Sequence, residues 1–324
     1  MASTKRTGRI FATEMRGTET RETETRGTKM HGKTRPGTNR RGLNVGTAAI
    51  WAASAAAAAL AAPGAYAQTP SPLGEWQYSA GIPLEKMYEP KIPTWETRVG
   101  AGMTFEPRYD GSSRYHILAG PSLDIRYKDI AFLSTGEGLG VNLLQGQNWR
   151  TSIAMVYDLG RRAHDDPQHL NGLGNINPAP EIKIAGEYVI SKELPLTFRT
   201  AITRSLGGSN GWILDLGAYM PMPGSSESFF WFAGPSVTFA DSTYMNSWFG
   251  VNAQQSAASG LRQYNASAGL KSAGFGITMI WFVNKHWFVT ADGAIKRLLG
   301  SAANSPIIQT KTGGVTDISL NYQF

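Results

Sequence analysis

The densest group of metal-capable side chains in the 324-residue sequence is His164-Asp165-Asp166-Pro167-Gln168-His169. Imidazole nitrogens and carboxylate oxygens together can hold a divalent cation. The spacing matches no established ligand motif and the segment reads as a surface loop, so a solvated loop is expected there and no metal. Nucleophilic chemistry has less support. There is no cysteine, which removes thiol catalysis, Cys-based metal sites and a disulfide framework. Serines are plentiful, but no G-x-S-x-G elbow occurs. His116 and Asp124 share a face with many other polar residues, and filling of an interior explains them better than a catalytic triad does. Gly207-Gly208-Ser209-Asn210-Gly211 lacks the Lys-Ser/Thr ending and following helix of a phosphate-binding loop and reads as a hairpin turn. No catalytic residue and no cofactor are expected.

A larger set of charges is distinguished by its placement. Glu96, Arg98, Asp124, Arg126, Arg150, Asp158, Arg199, Asp215, Asp292 and Lys296 each occupy one parity of a segment whose other parity is apolar. Two roles suit such a set: lining a water-filled channel, or pairing across strands and closing the interior.

The elements that must position these charges are strands. From Thr94 onward, segments of about 10–12 residues alternate apolar and polar between Gly, Pro, Asn and Asp clusters, the period-2 signature of strands at hairpin spacing. Trp95, Val99, Ala101, Met103 and Phe105 share one parity; Tyr115, Ile117, Ala119, Leu123, Ile125 and Tyr127 do the same in the next segment, and Ile318, Leu320, Tyr322 and Phe324 in the last. Candidate strands fall at 94–105, 113–127, 130–135, 138–144, 149–160, 180–190, 195–206, 211–221, 228–240, 266–283, 286–297 and 314–324. That is about twelve, with ten to fourteen acceptable and 130–144 readable as one bulged strand. The long connections are 161–179, 241–264 and 298–313. Confinement of charge to one face is what lipid on the other face requires, since a charge at mid-depth costs roughly 2–4 kcal/mol. A soluble barrel or sandwich alternates too. Aromatics at strand ends, an export signal and a C-terminal aromatic strand favour a closed antiparallel transmembrane β-barrel over residues 94–324. Tyr322 and Phe324 suit the ending that barrel-assembly machinery reads. A barrel of about twelve strands is narrower than a 16–18-stranded porin, which favours a narrow or blocked lumen.

The export signal lies upstream. Residues 1–67 carry 11 Lys/Arg and 4 Asp/Glu, while the remainder carries 20 of each. The formal +7 charge is therefore a property of the leader, and charge gives no argument for nucleic-acid binding. Residues 1–41 are hydrophilic and of low complexity. Arg40-Arg41 precede an alanine-rich apolar run, and Ala65-Tyr66-Ala67 supplies the small-x-small pattern, placing signal cleavage before Gln68. Met30 is an alternative start. Residues 68–93 contain five prolines and read as an irregular periplasmic arm.

Several ordered segments resemble one family. Gly138-Leu-Gly-Val-Asn-Leu-Leu144 is similar to the Gly-Leu-Gly-x-Asn-Leu stretch of the MipA/OmpV family, as is the loop from Asp165-Asp166-Pro167 to Leu173-Gly174. The resemblance continues through Gly234-Pro235-Ser236, Ala240-Asp241-x-x-Tyr244-Met245, Phe249-Gly250-Val251, Ser259-Gly260-Leu261, Tyr264, Gly269-Leu270-Lys271 and Arg297-Leu298-Leu299-Gly300-x-Ala302-x-x-Ser305-Pro306. It closes on Tyr322-x-Phe324. It covers about residues 94–324; the long N-terminal extension and His164 before the acidic pair depart from it. The resemblance implies an outer-membrane barrel of the MltA-interacting type, a non-enzymatic scaffold bringing a murein lytic transglycosylase together with a peptidoglycan synthase. Other members are treated as antigens or adhesins, and some are linked to antibiotic and osmotic responses. No catalytic residue carries over. A small-solute channel, and a surface adhesin acting through 161–179 and 241–264, stand as alternatives.

Overall fold

The structure is a computed structural model that describes residues 93–226 and 228–324. The expected cleavage site at Ala65, Ala67 and Gln68, and the arm up to position 92, lie outside the described residues. From Trp95 the chain forms twelve antiparallel strands: β1 (Trp95–Pro107), β2 (Tyr115–Tyr127), β3 (Ala131–Ser134), β4 (Gly138–Gln145), β5 (Trp149–Asp158), β6 (Ala179–Val189), β7 (Thr197–Ser205), β8 (Trp212–Pro221), β9 (Phe229–Ala240), β10 (Gly269–Phe282), β11 (Trp287–Leu298) and β12 (Thr312–Gln323). Each pairs with its neighbours in sequence. β12 returns to β1, from Arg98↔Gln323 to Phe105↔Thr316, and closes the barrel. Closure leaves no end strand unpaired, which a sheet in lipid requires.

Alternation of side chains drives the wall. Along β6, Ala179, Glu181, Lys183, Ala185, Glu187 and Val189 are buried, while Ile182, Ile184 and Tyr188 are exposed. β7 repeats the pattern, burying Thr197, Arg199, Ala201, Thr203 and Ser205 and exposing Phe198 and Ile202. Along these strands the wall is apolar outside and largely polar inside, the arrangement a bilayer selects. Aromatic pairs mark both rims: Trp95 with Tyr127 at 4.7 Å and Phe105 with Tyr115 at 4.8 Å between ring centroids. No described helix is long and apolar enough to cross a membrane, which has no bearing on strands.

Residues 130–144 form two short strands, not one bulged strand. β3 covers only Asp124–Tyr127 of β2, and β4 reaches only Arg150–Met155 of β5. The wall is therefore low at this hairpin, and Tyr115–Ser122 of β2 pair only with β1.

The longer connections share one end of the barrel and pack into a cap. They carry a one-turn helix α1 (Pro167–Leu170), then α2 (Ser242–Phe249) and α3 (Ala253–Ser259). The Asp241 side chain accepts the Tyr244 N–H at the start of α2, and Asn252 with Gln255 form a capping box on α3. Tyr109, Leu170, Leu173, Val251 and Ile307 from four connections make one apolar core; Tyr244, Met245, Phe249, Ala266, Leu298 and Ala302 make a second.

Candidate functional site

The strand parities bring charges to the interior, and their spacing around the barrel decides what they do there. Arg98 on β1 pairs with Glu96 and approaches Asp124 of β2 at 3.7 Å. Arg126 lies 3.1 Å from Asp124 and bonds Glu137. Arg150 on β5 meets Glu137 at 3.2 Å, Asp129 at 3.7 Å and Glu187 of β6 at 2.6 Å. Arg199 on β7 continues to Glu187 at 3.6 Å. The result is one chain of alternating signs from β1 to β7. The guanidinium groups of Arg98, Arg126 and Arg150 each face more than one carboxylate, the planar donor geometry for which arginine is suited.

The short hairpin supplies the link between the halves of this chain. Because β3 has only four residues, its turn lies low in the wall, where the Glu137 carboxylate reaches both Arg126 and Arg150. Ser134 Oγ accepts the N–H groups of Gly136 and Glu137 and holds the turn.

The remaining expected charges lie elsewhere. Asp158 accepts the Gly160 N–H at 2.9 Å. Asp215 accepts from Thr238 Oγ1 at 2.6 Å. Asp292 is buried and accepts from Thr278. Lys296 leaves the wall for the cap, where it meets Asp110 at 2.5 Å, and Lys271 reaches the same carboxylate at 3.0 Å. Burial alone would raise the pKa of Asp110; the two ammonium groups outweigh that and hold it below the ordinary carboxylate range. On the opposite side the interior is aromatic. Tyr219 and Phe232 sit 5.4 Å apart, with Phe230, Ile280, Ala294 and Val315 packed against them.

Among the described residues no group of three or more His, Asp or Glu converges as a metal site. In the His164–His169 segment, Asp166 is wholly buried and is spent on the cap: it bonds Arg114 at 3.3 Å, Gln309 at 3.1 Å and His169 Nδ1 at 3.1 Å. His164 stays exposed beside Asp165. At the other rim the Phe324 N–H donates to the Thr97 carbonyl at 3.1 Å, and its ring stands edge-on to Tyr322 at 5.1 Å with the side chain exposed.

Glu137, Asp129, Asp110 and Lys271 take part in these interactions without having been singled out from sequence. Three of them lie in turns or connections, where side-chain parity carries no signal. Lys271 sits at a register shift in β10, which breaks the count.

Residues 99–324 match the family described as MltA-interacting protein MipA. No curated protein matches the chain significantly. Among solved structures, an outer membrane channel from Pseudomonas putida F1 is 8% identical, with 72% of this chain and 97% of that one covered and a TM-score of 0.39. The NanC porin is 7% identical, covering 70% and 98%, at 0.34. A loop deletion mutant of OmpT, an outer membrane protein of Vibrio cholerae, is 7% identical, covering 71% and 98%, at 0.34.

Proposed function

We propose that this chain, which belongs to the MltA-interacting protein MipA family and is an outer-membrane β-barrel protein, is a non-enzymatic envelope scaffold. It would gather peptidoglycan-remodelling enzymes, a murein lytic transglycosylase and a peptidoglycan synthase, on its periplasmic side. The observation that carries this reading is the packed interior. Asp124, Arg126, Arg150, Glu187 and Arg199 are buried and joined to one another, and Tyr219 with Phe232 fills the facing side. Such an interior stiffens a barrel and suits an anchor better than a conduit. The even strand number puts both barrel termini on the end with the short turns, the end this reading assigns to the periplasm. Crosslinking in intact envelopes followed by pull-down tests this: the two enzyme classes should be recovered with the barrel, and recovery of neither rejects the scaffold.

Recognition at the cap end is a second reading, favoured by the two apolar cores that order the long connections. Deleting 161–179 and 241–264 should then abolish surface binding; unchanged binding would reject it.

A further inference from the structure

Arg161 lies just beyond β5 in the cap and is 3% exposed. Its backbone pairs with Ile176 as an antiparallel bridge, which fixes the neck of the 159–178 connection. Its Nη1 donates to the Trp248 carbonyl at 2.7 Å, and the guanidinium lies 6.0 Å from the indole centroid. There its satisfaction ends. Nε has no hydrogen-bond partner, and no carboxylate of the described residues pairs with it. The contrast with the barrel interior is plain, because Arg126, Arg150 and Arg199 each meet a carboxylate. Burial without a counter-charge pulls the Arg161 guanidinium down to about 10. A cation held out of water with no anion is costly, and a carboxylate brought to it would offset that cost.

Arg161 is also among the residues lining a cavity of about 900 Å³ between α2, α3 and the 159–178 connection. The lining is otherwise neutral and hydrogen-bonding, with no Asp, Glu or Lys among the described residues. Asn175, Ser242, Thr243, Gln263 and Asn265 contribute amides and hydroxyls, and Tyr264 an aromatic surface. Asn175 spends only its Oδ1, on the Ala163 N–H at 2.8 Å, so its amide donors remain. One guanidinium fits a single carboxylate, and a ring of neutral amides and hydroxyls fits several hydroxyl groups.

We propose that this cavity binds a small sugar acid, a ligand carrying one carboxylate and several hydroxyls, with the carboxylate on Arg161. The site is independent of the scaffold reading and survives its failure. Calorimetric titration of the full chain, folded in detergent, tests it with glucuronate, glucose and inorganic phosphate as probes. Glucuronate should bind saturably and at least about tenfold more tightly than either of the others, because only it offers both the charge and the hydroxyls. Arg161→Gln should remove the glucuronate signal. Because that change could loosen the cap, Thr243→Trp provides the second arm: it fills the cavity, leaves Arg161 in place, and should weaken glucuronate by at least about tenfold. Glucuronate binding no tighter than glucose or phosphate would overturn the proposal. So would undiminished binding to the Thr243→Trp protein.

Discussion

Arg150 holds three carboxylates, those of Glu187, Glu137 and Asp129, inside a wall that excludes water. Removing it leaves buried negative charges facing one another, which costs far more than a surface pair does. Arg150→Ala should lower stability by about 3–5 kcal/mol, read from the urea midpoint of the barrel in detergent micelles; a change within about 0.5 kcal/mol would mean that the charges repair themselves with water. Asp110 makes a prediction of opposite location and similar logic. Its carboxyl is held below the ordinary range by Lys271 and Lys296, so it contributes stability above the unfolded carboxyl value near about 4 and loses it as pH falls through the lower folded value. Asp110→Asn should cost about 1.5–3 kcal/mol at neutral pH, and the gap from the parent protein should stay constant down to about pH 5 and narrow below about pH 4. Unfolding midpoints across that range check the sign: a gap that widens with acid contradicts it. The sequence could place Arg150 and Asp124 on one parity with no further information. It could not show that Lys296 turns upward to Asp110, because the partner lies in a connection 186 residues away.

At the scale of the element, the β3–β4 hairpin is where pattern and structure part. Strand existence was legible from alternation, and most boundaries fall within two residues of the periodic segments. The height of a hairpin relative to its neighbours is set by cross-strand register, which alternation does not encode. Here the low hairpin leaves one edge of β2 without a strand partner. The Leu123 carbonyl accepts the Thr135 N–H and the Leu123 N–H donates to Thr135 Oγ1, so both point toward β3. By the two-residue alternation of an antiparallel ladder, Ile117 and Ala119 point the same way, above the top of β3. Pro121, between them and Leu123, has no N–H to leave unbonded. The amides of Ile117 and Ala119 should therefore exchange with deuterium much faster than those of Ala101 and Met103, which face β12 in the complete part of the wall. Exchange measured residue by residue on the folded barrel decides this, and equal protection would show that another group covers the edge.

The whole molecule joins two different interiors in one ring of strands. An ionic chain runs along β1 to β7, and an aromatic cluster fills the side of β8 to β12. They meet at two seams: Val189 packs on Phe230, and the Arg98 guanidinium lies 6.0 Å from the Phe288 ring centroid. The ionic half was foreshadowed by parity; the aromatic half was hidden, because Phe229-Phe230-Trp231-Phe232 places large apolar groups on both faces of β9 and erases the alternation that marks inside from outside. Neither half alone decides whether solutes pass, since charges could line water and aromatics could leave a gap beside them. Asp124 on the ionic side and Phe232, Tyr219 and Thr278 on the aromatic side are all nearly inaccessible, and on the anchor reading this packing closes the lumen. Purified protein in planar bilayers at neutral pH should accordingly give no discrete porin-type conductance steps. Truncating the aromatic half, as in Phe230→Ala with Phe232→Ala, removes the packing that salt bridges cannot replace and should introduce steps or current noise. Regular steps from the parent protein would mean that the ionic chain opens in a membrane field, and the anchor reading would give way to a channel gated by its own salt bridges.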